Sequence, residues 1–272
     1  MVRLYRLTLN DLELVDSTGL TLDAVSLRLP EGAYTTLRTY DRERIVGLGG
    51  HLKRLVNSLT LVDKNRLLDL SAIRSALRAV LVREGLDAVR LRITTPFDTD
   101  QVFISVEPFE PFPEDFYIRG VRCATTRLVR EMPKAKLTDF IVSSRATKAE
   151  MDPAIHEMLL VDAEERILEG LTSNFFSVLG GELRTAGEGV LEGVTRGFVL
   201  AEAGEIIPVR ADAIHLRDLP CVTEAFITSS SRDVMPVVQI DDAVIGAGQP
   251  GPVTRALMAR YRAYLEQVSE LP

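Results

Sequence analysis

The sequence predicts an α+β fold in two domains. Short runs that alternate apolar and polar residues, which are typical of half-buried strands, recur along the chain between segments of helical periodicity. An acidic, proline-rich stretch at residues 107–116 (EPFEPFPEDF) predicts a linker. Hydrophobic residues make up 46% of the 272 and charged residues 26%, the balance of a globular protein with a sizeable core. We therefore expect a small N-terminal domain at 1–110, a linker at 111–116 and a larger C-terminal domain at 117–272.

The first domain is predicted to be a mostly antiparallel sheet with two helices. The predicted strands are residues 2–8, 34–40, 88–95 and 102–107. The predicted helices are residues 51–63, with the apolar stripe Leu52, Leu55, Val56 and Leu59, and residues 71–85, with Ile73, Leu77, Val80 and Leu81. Ser71 is the predicted N-cap of the second helix because its hydroxyl can accept a first-turn amide hydrogen bond.

The second domain is predicted to alternate strands and helices. The predicted strands are residues 117–126, 157–162, 174–179, 206–209 and 222–228. The predicted helices are residues 139–151, 194–204 and 252–268. Pro252 suits the first turn of the last helix, where a missing amide hydrogen has no cost.

Charge and composition exclude several classes of function. The net charge of −7, with no basic block to offset it, argues against nucleic acid or an acidic membrane surface as a partner. The first residues alternate like a strand rather than forming a secretion signal, and no segment has the apolar length of a membrane span, so we expect a cytoplasmic protein. Cys123 and Cys221 are expected to be buried thiols, and the scattered histidines predict no metal site.

Four short segments carry residues suited to chemistry, although each alone has an ordinary structural interpretation. Lys136 lies in AKLTDF, where a helix is expected to begin, and a lone lysine there is usually solvated. LEGLTSNFF at 168–176 fits a hairpin, and LEGVTRG at 191–197 fits either a capped helix start or an anion site. ITSSSRDVMPV at 227–237 fits a polar turn or a further set of phosphate donors.

Taken together, these segments resemble the class IV aminotransferases. The family signature reads here as Glu169, Asn174, Phe175 and Phe176, then Leu183-Arg184-Thr185, then Leu191-Glu192-Gly193-Val194-Thr195-Arg196. Lys136 precedes the glutamate by 33 positions (169 − 136), close to the family spacing. The stretches Tyr34–Tyr40 and His51–Arg54 are similar to the family's N-terminal domain, so the resemblance covers nearly the whole chain.

The resemblance implies a fold type IV enzyme that uses pyridoxal 5'-phosphate. Its small N-terminal domain would be an α/β sandwich, and its C-terminal domain a mostly β, barrel-like core flanked by helices. Lys136 would bind the cofactor covalently and then transfer protons, and Glu169 would pair with the pyridine nitrogen. Lys134 remains the rival for the covalent role, because the choice depends on one alignment register. Lys134 and Arg130 could also lower the pKa of Lys136 by their charge.

The resemblance also implies which residues would bind the phosphate and the ring. Arg54 would supply a guanidinium, and Val194 and Thr195 would supply amide groups at a helix start. Ser229 and Ser230 would add hydroxyl groups, and Leu191 would pack on the ring. The alternatives are a surface ion pair for Arg54, an ordinary turn for the serines and a core position for Leu191.

Substrate contacts are expected from Tyr34, Arg90, Arg92 and Ser231. Tyr34 aligns with an aromatic residue of the family's pocket, but a buried strand tyrosine would look the same. Arg90 and Arg92 alternate on a strand and so share a face; one could bind a substrate carboxylate, or both could be solvated. Branched-chain members have tyrosines where this chain has Arg90 and Ile141, which argues against a standard branched-chain specificity.

The preferred hypothesis is an aminotransferase that moves an amino group between an amino acid, branched-chain-like or otherwise small or apolar, and a 2-oxo acid. The resemblance implies a homodimer. The first alternative is a lyase of the 4-amino-4-deoxychorismate type, which would release pyruvate with the same cofactor apparatus. The second alternative is a non-catalytic scaffold that keeps the fold.

Overall fold

The computed structural model describes residues 1–8, 11–18, 21–64, 66–267 and 271–272. Their contacts divide the chain into two compact units. Unit 1 comprises Met1–Pro111, Lys134–Ser143 and Leu265–Pro272, and unit 2 comprises Phe112–Pro133 and Ser144–Tyr264. By these contacts, residues 134–143 and 265–272 group with unit 1, and the predicted domains 1–110 and 117–272 with a linker at 111–116 stay a prediction.

Strands and helices are numbered separately in chain order. The strands are β1 Val2–Leu7, β2 Leu12–Thr18, β3 Gly32–Tyr40, β4 Arg44–Ile45, β5 Val89–Pro96, β6 Val102–Pro108, β7 Val121–Thr126, β8 Glu157–Val161, β9 Ile167–Gly170, β10 Asn174–Leu179, β11 Glu182–Arg184, β12 Val209–Arg210, β13 Val222–Ser229, β14 Asp233–Ile240 and β15 Ala243–Val244. The α-helices are α1 Leu22–Ser26, α2 Leu48–Thr60, α3 Leu70–Glu84, α4 Glu114–Arg119, α5 Asp139–Ser143, α6 Arg145–Ala149, α7 Val194–Ala203 and α8 Pro252–Gln267, and a 3-10 helix spans Leu216–Cys221.

Unit 1 is built on a sheet whose strands run in the order β2-β1-β6-β5-β3-β4, with antiparallel neighbours. One face of this sheet packs on α2 and α3, because the alternating strand residues and the helical stripes are both apolar. This core is formed by Tyr5, Leu37, Leu52, Leu55, Leu77, Leu91 and Ile104, among others. On the opposite face, Phe103 packs with the first helix and with β1.

Unit 2 is built on a closed barrel. Strands β10, β13, β14, β7 and β8 pair in that order, and β9 pairs with both β8 and β10, which closes a ring of six strands. Closure removes the open edges that a flat sheet would expose. The barrel core contains Phe175, Ile227, Met235, Leu159 and Val121.

Two helices of unit 2 begin at positions that matter for the site. Helix α7 has Gly193 as its N-cap. Helix α8 begins at Pro252, as the sequence predicts, and its first amides are accepted by the buried carboxylate of Glu224, from Val253 at 3.1 Å and from Thr254 at 2.7 Å. Phe198 and Tyr261 pack edge to face between the two helices.

The α+β, two-layer and barrel architecture predicted from the resemblance is confirmed, but several local predictions are wrong. Ser71 is not the N-cap of α3: Asp69 accepts the Ala72 amide instead, because the helix begins one residue earlier, at Leu70. The predicted strand 117–126 begins at Val121, since α4 occupies residues 114–119 and Gly120, at φ 80°, separates the two. That helix also takes up part of the predicted linker.

Three further differences concern short elements. The predicted helix 139–151 is two helices, α5 and α6, which meet at the buried Ser144. The predicted strand 206–209 is reduced to the two residues of β12. Cys123 is buried as expected, but Cys221 is exposed because it ends the 3-10 helix at the surface.

Within the described ranges, no helix is both long and apolar enough to cross a membrane. No group of three or more histidine, cysteine, aspartate or glutamate side chains suited to a metal ion occurs among the described residues either.

Candidate active site

Lys136 lies in an extended segment that pairs with β3 within unit 1. Its carbonyl accepts the Tyr34 amide at 2.9 Å, and its own amide donates to Ser58 Oγ at 3.0 Å. The Thr138 amide donates to the Gly32 carbonyl at 2.9 Å. The lysine therefore precedes helix α5, which begins at Asp139, rather than opening it, and these hydrogen bonds hold its segment in place.

The Lys136 side chain is directed at an aromatic ring. Its Nζ lies 4.9 Å from the centre of the Tyr34 ring, and the Tyr34 side chain is itself buried, with 8% exposure. The guanidinium of Arg92 lies 4.8 Å from the centre of the same ring. Lys136 is half-buried, whereas the rival Lys134 is exposed. A reactive amine benefits from partial desolvation and from neighbouring cations.

Arg54 is held by two buried polar side chains, His51 of α2 and Thr35 of β3. Its Nη2 donates to Thr35 Oγ1 at 2.9 Å and lies 3.3 Å from His51 Nδ1. His51 is buried, and Nδ1 is also 2.9 Å from the Thr35 hydroxyl. Burial, followed by the charges of Arg54 and Lys136, lowers the pKa of His51 well below its ordinary value. The imidazole is therefore neutral at physiological pH, and it orients Arg54 without adding charge.

Arg90 and Arg92 share a face of β5, as predicted, but neither is simply solvated. Arg92 is buried and donates to Asp23, to Ser26 Oγ, to the Leu22 carbonyl and to Thr36, so its guanidinium is fully engaged. Arg90 pairs with Glu107 on the neighbouring strand.

Glu169 is a buried carboxylate in unit 2, at the end of strand β9. Its side chain is 1% exposed, and its Oε1 lies 2.9 Å from Nη1 of Arg130, whose side chain is 8% exposed. Its Oε2 accepts the Leu191 amide and the Asn174 amide group, each at 3.0 Å. A carboxylate with this set of donors is held in its ionised form.

Asn174 connects Glu169 to the start of helix α7. Its Nδ2 donates both to Glu169 and, at 2.8 Å, to the Leu191 carbonyl. A Cβ atom at Gly193 would lie 2.1 Å from Asn174 Oδ1, so only glycine fits at this N-cap. The carboxylate and the helix start are thus fixed relative to each other.

The first turn of α7 suits an anion. The N-cap residue is glycine, so no side chain of its own competes for the amides of Val194 and Thr195, and the positive end of the helix dipole lies there. Thr195 is buried, with its hydroxyl 3.5 Å from that of Tyr261. Leu191, just before this turn, is buried with 6% exposure.

The three serines form the turn between β13 and β14. Ser229 ends β13, and its Oγ accepts the Arg232 amide at 3.1 Å, while Ser230 and Ser231 lie in the turn and are half-buried. The Arg232 side chain donates to Thr172 Oγ1 at 2.6 Å and lies 3.4 Å from the buried carboxylate of Glu157. The turn is therefore tied to the loop that follows Glu169.

Sequence reasoning missed the residues that hold the predicted ones. His51 and Asn174 were part of the quoted motifs but received no role, and the spacing of His51 three residues before Arg54 is a signal that could have shown their contact. The contacts of Asp23 with Arg92 and of Arg130 with Glu169 join residues far apart in sequence, and no local pattern indicates them.

A comparison with known families fits this arrangement. The sequence profile of the amino-transferase class IV family matches residues 32–240, more than half of the chain. The chain belongs to this family. The family resemblance inferred from the motifs is therefore confirmed, and with it an enzyme that depends on pyridoxal phosphate.

Individual relatives of this class IV chain differ in their activities. It is 25% identical over 260 residues to a D-alanine aminotransferase of Staphylococcus haemolyticus, covering 88% of this chain and 90% of that protein. The crystal structure of a branched-chain aminotransferase from the archaeon Thermoproteus uzoniensis with norvaline has TM-score 0.78 at 24% identity, covering 97% and 94%. That of a 4-amino-4-deoxychorismate lyase from Pseudomonas aeruginosa has TM-score 0.75 at 24% identity, covering 91% and 96%. The two solved structures share the fold.

The residues present fit pyridoxal phosphate. Unit 2 offers a buried, ionised carboxylate for a pyridine nitrogen and an open helix start for a phosphate. In unit 1, Lys136 supplies a half-buried amine, and Arg54 supplies a guanidinium held by the uncharged Thr35 hydroxyl. This donor set matches the cofactor's aldehyde, nitrogen and phosphate in chemical type.

Proposed function

We propose that this chain is a pyridoxal-phosphate aminotransferase that moves an amino group between a small or apolar amino acid and a 2-oxo acid. The observation that carries the proposal is the buried Glu169 carboxylate, tied through Asn174 to the glycine-capped start of α7. A carboxylate fixed in this way can accept a further, charge-assisted hydrogen bond from a protonated pyridine nitrogen.

Lys136 is the residue that binds the cofactor covalently in this proposal. When bound, pyridoxal phosphate withdraws electrons from the substrate Cα and so allows its proton to leave. Once the substrate amine has displaced it from the cofactor, the Lys136 amine would take the proton from Cα and deliver it to the cofactor carbon. The exposure of Lys134 supports Lys136 over its rival, because a covalently bound cofactor is expected at a partly buried amine.

We assign the phosphate to a set of cationic and hydrogen-bonding groups. Arg54 supplies charge, and the amides of Val194 and Thr195 with the Thr195 hydroxyl supply directed hydrogen bonds. Ser229 and Ser230 add hydroxyl groups from the turn, and Leu191 packs on the ring. The neutral His51 beside Arg54 supports this assignment because it holds the guanidinium without adding a charge of its own.

On the substrate side we assign Tyr34 and Ser231, and we regard Arg90 and Arg92 as structural. Both arginine charges are already balanced, by Glu107 and by Asp23. The Tyr34 ring, which lies next to Lys136, presents an apolar surface to a substrate side chain. These features support a substrate with a small or apolar side chain.

A lyase that releases pyruvate from 4-amino-4-deoxychorismate is the second candidate, favoured by the lyase among the structural neighbours. A non-catalytic scaffold is a third. We further propose a cytoplasmic homodimer that acts in amino-acid metabolism, with small-molecule substrates and neither nucleic acid nor membrane as a partner. The acidic net charge of −7 supports the last point. Light scattering of the purified protein tests the dimer.

The decisive test is the first half-reaction. The enzyme is loaded with pyridoxal phosphate and mixed with single amino acids of both stereochemistries, and pyridoxamine 5'-phosphate is measured by chromatography. Its formation with a small or apolar amino acid supports the aminotransferase. Pyruvate release from 4-amino-4-deoxychorismate with no half-reaction supports the lyase, and neither product, with no borohydride-stable adduct, supports the scaffold.

Variants at the two lysines test the covalent assignment. Lys136→Ala should abolish the adduct that borohydride fixes on the protein, which peptide mass spectrometry detects, and should abolish the half-reaction. Lys134→Ala is the matched control and should retain both. An adduct that is lost only in Lys134→Ala would transfer the role to that residue.

A further inference from the structure

A buried ion pair joins Glu169 to Arg130 within unit 2. The two side chains are 1% and 8% exposed, and Arg130 Nη1 lies 2.9 Å from Glu169 Oε1. The other end of the guanidinium is fixed as well, since Nη2 donates to the Leu171 carbonyl at 3.3 Å. Arg130 therefore spans the strand end that carries Glu169 and the turn that follows it.

The Arg130 charge has a clear consequence for the carboxylate. A buried carboxylate without a countercharge takes up a proton or disturbs its surroundings, because its desolvation is costly. Asn174 and the Leu191 amide are neutral donors, and both bind Oε2. Arg130 adds a positive charge 2.9 Å from Oε1, which favours the charged form of the carboxylate.

We infer that Arg130 is a positioning residue that keeps Glu169 ionised and oriented for the pyridine nitrogen of the cofactor. The inference rests on the proposed role of Glu169. It extends that role to a residue that does not itself touch the reacting atoms. The sequence suggested Arg130 as a cation near Lys136. The ion pair instead gives Arg130 a different partner, Glu169.

The first test uses unfolding of the cofactor-free protein, which needs no activity. Arg130→Gln should lower the urea midpoint, because it removes the cation that lies 2.9 Å from the buried Glu169 carboxylate. The double variant Arg130→Gln/Glu169→Gln should recover part of that loss, since neither charge remains. Arg184→Gln, which removes a partly buried arginine paired with Glu182 elsewhere in unit 2, is the matched control. Losses that simply add in the double variant would overturn the inference.

The second test measures binding of pyridoxal phosphate to the cofactor-free protein by calorimetry. Arg130→Gln should weaken binding about tenfold or more, as the loss of an outer partner does at metal sites. Arg130→Lys keeps the charge and should lose clearly less, and Arg184→Gln should bind like the parent. Equal losses for Lys and Gln at position 130 would refute a role through charge.

A failure of this inference can be distinguished from a failure of the proposed function. If the borohydride adduct at Lys136 is absent from the parent protein, the proposed function fails, whatever the unfolding data show. If the adduct forms but Arg130 and Glu169 show no coupling in unfolding, only the inference about Arg130 fails.

Discussion

At the scale of single residues, the candidate site depends on Gly193, the N-cap of α7, which lies against the Asn174 side chain. Gly193→Ala should displace the Asn174 amide, because its Cβ would lie 2.1 Å from Oδ1. We expect a loss of about 1–3 kcal/mol in the free energy of unfolding, the usual cost of overpacking, together with weaker cofactor binding. Urea denaturation and calorimetry measure the two effects.

Gly197 is the natural control for this change. It lies in the same helix, α7, and a Cβ there would meet nothing within 4 Å. Gly197→Ala should therefore stabilise the protein by roughly 0.5–1 kcal/mol through backbone entropy alone. A similar loss in both variants would mean that the contact with Asn174 has no special cost.

The buried His51 predicts a pH dependence with a definite sign. Its pKa in the folded protein lies well below 6.5, so as pH falls under 6.5 the unfolded chain gains a proton that the folded protein does not. Stability is therefore lost toward acid, at up to about 1.4 kcal/mol per pH unit. His51→Asn lacks this group, so the stability difference between parent and variant should shrink below pH 6.5. A difference that stays constant from pH 8 to pH 5 would contradict a neutral buried His51.

Sequence reasoning selected Lys136, Glu169 and Arg54 by residue type and spacing, and their burial and contacts are compatible with the assigned roles. It could not show what fixes them. The partners of Glu169 come from other segments of unit 2, and the Tyr34 ring reaches Lys136 only because an extended segment pairs with β3. Contacts of this kind depend on tertiary structure, and no periodic pattern in the sequence indicates them.

At the scale of elements, prediction succeeds for strands with clear borders and fails for a strand that contains proline or is short. Strands β5, β6 and β10 were found with nearly correct bounds because they alternate or are bordered by turn residues. Strand β14 was missed, since Pro236 usually argues against a strand inside a sheet. The four-residue β9 was missed although it carries Glu169 and closes the barrel.

Helix α8 offers a test at this scale, because its start is held by a buried charge. Glu224 accepts the amides of Val253 and Thr254, and its carboxylate faces the positive end of the helix dipole. Glu224→Gln should cost about 1 kcal/mol in the free energy of unfolding. Glu266→Gln, at the exposed opposite end of the helix, should cost nothing measurable. Equal effects at the two ends would show that the charge at the helix start is unimportant.

At the scale of the whole molecule, the sequence predicted the fold class through the motifs rather than through the elements. The barrel of unit 2 is closed by pairs between strands distant in sequence, such as β14 with β7, and these pairs cannot be read from periodicity. The assignment of residues 134–143 to unit 1 was also not predicted, since that segment follows the linker along the chain. The fold could be predicted from the family signature, because members of one family share the whole fold.

The cofactor should stabilise the whole protein by mass action, and the covalent bond to Lys136 should account for part of this effect. At a free concentration of pyridoxal phosphate 100 times its dissociation constant, the free energy of unfolding should rise by about 2.7 kcal/mol. In Lys136→Ala the same concentration should give a smaller rise, because the bond to the amine is missing and the affinity is lower. An analogue without the aldehyde, 4'-deoxypyridoxine 5'-phosphate, cannot form that bond and should stabilise the parent and Lys136→Ala equally. Thermal unfolding at a series of ligand concentrations measures the stabilisation of both proteins by both ligands. An analogue that stabilises only the parent would show that Lys136 contributes more than the covalent attachment.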